Sequence, residues 1–153
     1  MADGVSDLRY ERPVDDAALQ DWRYVHNVII PSHELSLEDV RERAQRNRLE
    51  IAYLGDEPIG CTTVRPPTSD SPAATVIARV LPAHRCQGFG AELYARALDY
   101  ARTLDTDTIE TVVLASNTDG LRFAQNHGYT EIETYLLPGD TVPYIELRLA
   151  IRP

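Results

Sequence analysis

A chain of 153 residues with 43% apolar content, Gly 8 and Pro 10 is neither low-complexity nor collagen-like, and it is long enough to bury a core as one domain without disulfides or metals. Its 15 basic against 24 acidic residues leave a net charge of −9, which argues against a nucleic-acid partner, and because every cation is arginine, Schiff-base chemistry and the phosphate-loop NTPase motif drop out. Cys61 and Cys86 make no disulfide framework and read as reduced thiols, while no apolar run reaches the roughly 18 residues of a membrane span and the start lacks the order of a signal peptide, so a cytoplasmic protein without a membrane partner is expected.

Val5 to Tyr10 reads as a first strand. Asp15 and Asp16 then offer caps for a helix whose residues Leu19, Trp22, Val25, His26 and Ile29 share one face, and Pro31 ends it. His26, on that apolar face, is expected to be a core histidine. A second helix starts at Ser36, with Asp39 positioned to complete a capping box, and runs to about Asn47. Leu49 to Leu54 and Pro58 to Val64 alternate as strands around Gly55-Asp56-Glu57, a hairpin signal. The segment from Pro66 to Pro72 is a loop by composition.

Ala73 to Val80 is a fourth strand closed by Pro82. Phe89 to Leu104 has helical spacing, Thr108 to Ala115 reads as a buried strand, and a shorter helix spans about Thr118 to Asn126 before Gly128. Tyr129 to Leu137 and Tyr144 to Ile151 finish the chain as strands. The order mixes hairpins with crossovers, which implies an α/β (α+β) arrangement in which a mixed sheet is covered by helices on both faces.

Chemistry concentrates in Val80-Leu81-Pro82-Ala83-His84-Arg85-Cys86-Gln87-Gly88-Phe89-Gly90, a strand end followed by a glycine-bearing turn and a long helix. This pattern is an anion cradle. The first amides of a helix lack intrahelical partners and carry the positive end of its dipole, and glycines let a phosphate approach the backbone. Arg85 adds a charge that can pair with phosphate oxygens in a fork. A dinucleotide fingerprint would need a third glycine near Leu93, which is absent.

Val80, Pro82, Arg85, Gly88 and Gly90, followed by Asn117, Leu121, Phe123, Gly128 and Tyr129, resemble the two motifs of the GNAT superfamily of N-acetyltransferases. The resemblance implies the acyl-CoA N-acyltransferase fold, a mixed, mostly antiparallel seven-stranded sheet with four helices on its two faces. It implies acetyl-CoA (coenzyme A) as co-substrate: the pyrophosphate on the turn Arg85, Cys86, Gln87, Gly88, Phe89 and Gly90, the pantetheine arm beside Val80 and Leu81, and Asn117 and Phe123 completing the contacts. An amine then attacks the thioester directly, with a backbone amide of the fourth strand steadying the oxyanion.

The family often carries a tyrosine directly after the position of Phe123 as the acid that protonates the leaving thiolate. Here that position is Ala124, and a weaker enzyme is expected, since acid catalysis contributes typically 10²–10⁴-fold. The fourth strand also lacks the glutamate that many relatives use as base. The catalytic candidates are His33 and Glu34, between the first two helices, and Tyr135 on the penultimate strand. His84 and Cys86 lack zinc-ligand spacing, so no metal is expected. The expected activity is acetyl transfer to a primary amine of a small molecule or peptide. The contrasting reading is an acyl-CoA-binding sensor that has lost the chemistry, and self-association into a homodimer stays open.

Overall fold

The computed structural model describes residues 7–150. Its strands are β1 (Leu8–Glu11), β2 (Arg48–Leu54), β3 (Glu57–Arg65), β4 (Ala74–Val80), β5 (Thr108–Leu114), β6 (Thr130–Tyr135) and β7 (Tyr144–Ala150), and its helices are α1 (Asp16–Ile29), α2 (Leu37–Arg46), α3 (Phe89–Ala101) and α4 (Thr118–Asn126). The strands form one seven-stranded sheet in the order β1-β2-β3-β4-β5-β7-β6. It is mostly antiparallel, with β4 and β5 the parallel pair, registered at Ala74↔Ile109 and Thr75↔Glu110. The chain divides into two compact units, one made of the chain up to Thr63 with Ala78–Leu93, the other of Val64–Ile77 with the chain from Tyr94 onward.

In the first unit, the Asp15 carboxylate accepts from the Ala18 amide at 2.9 Å and starts α1. Ala18, Leu19, Trp22, Val25 and His26 are buried, as the 3.6-residue period requires. Ile30 precedes a proline and leaves helical geometry at φ −121°, ψ 68°, so α1 ends there and Pro31–His33 forms one 3-10 turn. Both halves of the Ser36–Asp39 capping box are present and open α2.

Strand β2 is buried on both sides, which its alternation explains. Leu49, Ile51 and Tyr53 share a core cluster with Trp22, Val25 and Val40, whereas Ala52 joins Ile59, Val80 and Leu93, with Phe89 packed against them. Each leucine, isoleucine or valine among them taken fully out of water contributes about 1.5–3 kcal/mol. Helices therefore cover both faces of the sheet in this unit. The β2–β3 turn is Gly55-Asp56, with Gly55 at φ +64°, as a two-residue hairpin with glycine first requires.

In the second unit, β5 pairs with β7 from Thr108↔Ala150 to Leu114↔Tyr144. Strand β6 pairs with β7 on its other side, with a bulge between Glu131 and Glu133. Ile109 and Leu147 are fully enclosed. Thr106 donates to the Pro72 carbonyl at 2.8 Å and ties the loop after β3 to the segment before β5.

Element ends differ from expectation for local reasons. Helix α3 stops at Ala101 rather than Leu104, because the chain tightens into Thr103→Tyr100 and Leu104→Ala101 bonds and the Thr103 hydroxyl takes the Tyr100 carbonyl at 2.6 Å. Strand β6 stops at Tyr135 rather than Leu137, three residues before Pro138, and Asp140 turns back to the Leu137 carbonyl. The first strand starts at Leu8 and reaches Glu11; Val5 and Ser6 of its expected span, and Ile151 of the last strand, lie outside the described residues.

Candidate functional site

The turn after β4 is built by backbone bonds that leave little freedom. Leu81 donates its amide to the Ile59 carbonyl at 2.8 Å, and Pro82–His84 then winds one 3-10 turn closed by His84 to the Leu81 carbonyl at 2.9 Å. The Arg85 side chain folds back, and its Nε donates to the Val80 carbonyl at 2.9 Å. That bond orients the guanidinium and leaves its two terminal nitrogens for an anion. Cys86 at φ +65° and Gly88 at φ +85° both lie in the left-handed region and swing the chain into α3.

Residues Arg85 to Gly88 are all exposed, and nothing lies within 4 Å of where a side chain on Gly88 would begin. In α3 the first helical amide bond runs from Glu92 to the Gly88 carbonyl at 3.2 Å, so the amides before it are open to a ligand. Gly90 is different. A methyl there would only touch Val80 at 3.8 Å, so an alanine would fit at this place. Amides, dipole and one oriented guanidinium make an exposed cationic turn on a chain of net charge −9. This chemistry suits a diphosphate.

Val80 and Leu81 are committed in part. The Val80 carbonyl already accepts from Arg85, which leaves its second lone pair for another donor, and the amide and carbonyl of Leu81 are engaged by Ile59 and His84.

The second unit holds the other motif. Asn117 caps α4, its Oδ1 accepting from the Gly120 amide at 3.0 Å. Phe123 stacks obliquely on His127 with centroids 4.0 Å apart and meets Tyr94 edge-on at 5.1 Å. Tyr94 and Tyr129 are buried, and the Tyr94 hydroxyl donates to that of Tyr129. Burial raises the pKa of both phenols, so both keep their protons. Ala124 is only 3% exposed, so the position of the family's tyrosine acid is a packed methyl.

Among the catalytic candidates, His33 closes the 3-10 turn of the first unit and Glu34 follows it, extended and exposed. Tyr135 belongs to the second unit, half-buried and stacked on Tyr144 at 5.6 Å. Its pKa is raised, chiefly by burial and then by Glu146. Carboxylates absent from β4 occur on β5 and β7 instead. Glu110 is buried and takes Arg148 through Nε at 3.1 Å and Nη2 at 2.7 Å, and Glu146 has its pKa raised by burial and by Glu110. Alternation within the strand gives no signal for Glu110, since Ile109, Glu110 and Thr111 are all buried in succession. Both cysteines are free thiols, Cys61 buried and Cys86 exposed. Among the described residues no group of three or more His, Cys, Asp or Glu side chains could hold a metal ion, and no helix is long and apolar enough to cross a membrane.

A mixed seven-stranded sheet whose fourth strand runs through an exposed cationic turn into α3 is the class that fold and turn define. The model of the acetyltransferase (GNAT) family matches residues 14–129, and the chain belongs to that family. Among curated proteins none matches the sequence. Similar solved structures include an N-acetyltransferase from Staphylococcus aureus Mu50, at 13% identity and TM-score 0.77, covering 96% of this chain and 100% of that one. Another is yncA of Salmonella typhimurium, solved with its cofactor acetyl-CoA, at 14% identity and TM-score 0.73, covering 95% of each chain. A third is Arabidopsis thaliana Naa50 in complex with the bisubstrate analogue CoA-Ac-MVNAL, at 18% identity and TM-score 0.75, covering 95% of this chain and 99% of that one. At these identities the likeness shows the fold.

Proposed function

We propose that this member of the acetyltransferase family transfers an acetyl group from acetyl-CoA to a primary amine of a small molecule or peptide. The observation that carries the reading is the turn from Arg85 to Gly90 at the start of α3, exposed as far as Gly88, with Arg85 anchored on Val80. The amides of that turn and the terminal nitrogens of Arg85 hold the diphosphate of coenzyme A, and Val80 runs beside the pantetheine arm. The second family motif implies Asn117 and Phe123 as further coenzyme contacts. The acetyl-CoA in yncA and the coenzyme A–peptide conjugate in Naa50 support this cofactor and a peptide-like acceptor.

The thioester supplies an activated acyl group, so the protein's part is placement, electrostatic support and proton management. His33 and Glu34 border the acceptor, and Tyr135, still protonated at neutral pH, is a donor of last resort. With Ala124 in place of a tyrosine the thiolate leaves without a dedicated acid. A thiol pKa of about 8.5 makes that tolerable, at a rate below that of tyrosine-bearing relatives.

The packed Ala124 and the acid-free β4 also favour the sensor reading, in which acetyl-CoA binds and no amine is acetylated. The deciding experiment is thiol release from acetyl-CoA with a panel of peptides and polyamines. Amine-dependent release supports the enzyme, and tight acetyl-CoA binding with no release by any amine supports the sensor.

A further inference from the structure

The segment carrying His33 and Glu34 is gripped from behind. Asn27, in the last turn of α1, meets the main chain of Leu35 with both ends of its amide: Oδ1 accepts the Leu35 N–H at 2.9 Å, and Nδ2 donates to the Leu35 carbonyl at 3.0 Å. A backbone N–H and C=O cannot exchange roles, so Leu35 dictates which end of Asn27 is oxygen. The same Oδ1 lies 2.9 Å from His26 Nδ1, which must therefore be the protonated ring nitrogen. Burial lowers the His26 pKa to about 4, so the ring is neutral near pH 7 and carries only that proton.

His26 is itself fixed. Its ring stacks on Trp22 with centroids 5.6 Å apart and planes within 13°, and the Trp22 indole donates to the Thr62 carbonyl on β3. Arg23 Nε gives the Leu35 carbonyl a second donor at 2.7 Å. The Leu35 side chain is buried in the cluster of Trp22, Val25 and Val40. The chain from Pro31 to Glu34 is thus a short bridge between two anchors, Ile30 bonded to the His26 carbonyl and Leu35 bonded to Asn27, with Pro31, Ser32 and Glu34 exposed between them.

We propose that Asn27 is a positioning residue for the acceptor end of the site, gripping both backbone groups of Leu35 so that His33 and Glu34 are presented in one place. This rests on the acetyltransferase reading above. Without the grip, the Leu35 main chain keeps the Arg23 bond and its side chain keeps its burial, but its amide loses its partner and the bridge gains freedom that an acceptor must remove on binding. The turn at Arg85 shares no bond with Asn27, so coenzyme affinity is untouched.

The test is steady-state thiol release by Asn27→Ala and Asn27→Asp, using whichever peptide or polyamine the unchanged protein acetylates, beside calorimetric acetyl-CoA binding and hydrogen exchange at the Leu35 amide. Asn27→Ala is expected to raise the acceptor KM by about tenfold, the order of one lost hydrogen bond, with acetyl-CoA affinity unchanged and Leu35 exchange faster. Asn27→Asp keeps the acceptor half of the grip and recovers part of that KM; should Asn27→Ala fold poorly, it serves alone. Faster Leu35 exchange with an unchanged acceptor KM overturns the proposal, because the grip is then only structural. No turnover by the unchanged protein with any amine defeats the acetyltransferase reading first, and the positioning role with it.

Discussion

Asn117 and Gly120 fit each other as a cap and a gap: the Asn117 Oδ1 accepts from the Gly120 amide at 3.0 Å, and a methyl on Gly120 would stand 2.6 Å from Asn117 Nδ2. Glycine is tolerated inside α4 because the asparagine needs its space. Alanine is favoured over glycine in a helix by about 1 kcal/mol, and losing an asparagine cap costs about the same. Gly120→Ala alone is therefore expected to be neutral or destabilising, since it displaces the cap and also crowds Val113 at 3.1 Å. In an Asn117→Ala background the same substitution should become stabilising. Urea unfolding of the four proteins in the cycle checks this, and a Gly120→Ala effect of equal size in both backgrounds would mean the two side chains are independent.

His26 gives the fold an acid-side weakness. Its pKa falls from the ordinary 6.5 to about 4, mainly through burial, so the unfolded chain binds the proton more readily than the folded one below neutrality. Stability is fully present above pH 6.5 and is lost as pH falls from there toward 4. The loss is about 1.4 kcal/mol per pH unit at most, roughly 3 kcal/mol over the window. Urea unfolding between pH 4 and pH 7 should show this slope in the unchanged protein and a shallower one in His26→Phe, which keeps a ring against Trp22. Equal slopes would show that His26 is not the titrating group.

Cys86 holds a left-handed conformation, φ +65°, that costs a side-chain-bearing residue about 1–2 kcal/mol. Cys86→Gly removes that strain but gives the unfolded chain more freedom, which takes back part of the gain. A net rise in Tm of about 2–4 °C is expected, with acetyl-CoA affinity retained because the turn's amides are unchanged. A fall in Tm would mean that the thiol makes stabilising contacts.

Gly60 explains how closely α3 approaches the sheet. A methyl there would lie 2.7 Å from the Arg79 carbonyl and 2.8 Å from a Leu93 methyl, the first an immovable backbone atom. Gly60→Ala should destabilise by about 1–3 kcal/mol, as overpacking does, with a matching fall in Tm by calorimetry. Unchanged stability would mean that β4 and Leu93 can shift at little cost.

What was legible in the sequence was local. The Asp15 cap, the Ser36–Asp39 box, the Gly55 turn and the run from Val80 to Gly90 depend on neighbours within a few positions, and all four stand where the spacing put them. Asn117 was legible only by half, because the asparagine matched to the second motif also caps α4, and sequence carries no sign of that cap's geometry. The Arg85–Val80 bond and the Asn27 grip on Leu35 were invisible, since each depends on how a side chain folds back onto a main chain whose path is set by packing. Glu110 was hidden for a similar reason: a carboxylate in a strand reads as surface until the neighbouring strands enclose it.

The most direct test of the central claim is calorimetric titration of the protein and of Arg85→Glu with acetyl-CoA at moderate salt. The expected result is micromolar binding by the unchanged protein and its loss in Arg85→Glu, where a carboxylate faces the diphosphate and the Val80 bond is gone. Absence of binding by the unchanged protein, or equal binding by both, would contradict a coenzyme site on the turn from Arg85 to Gly90.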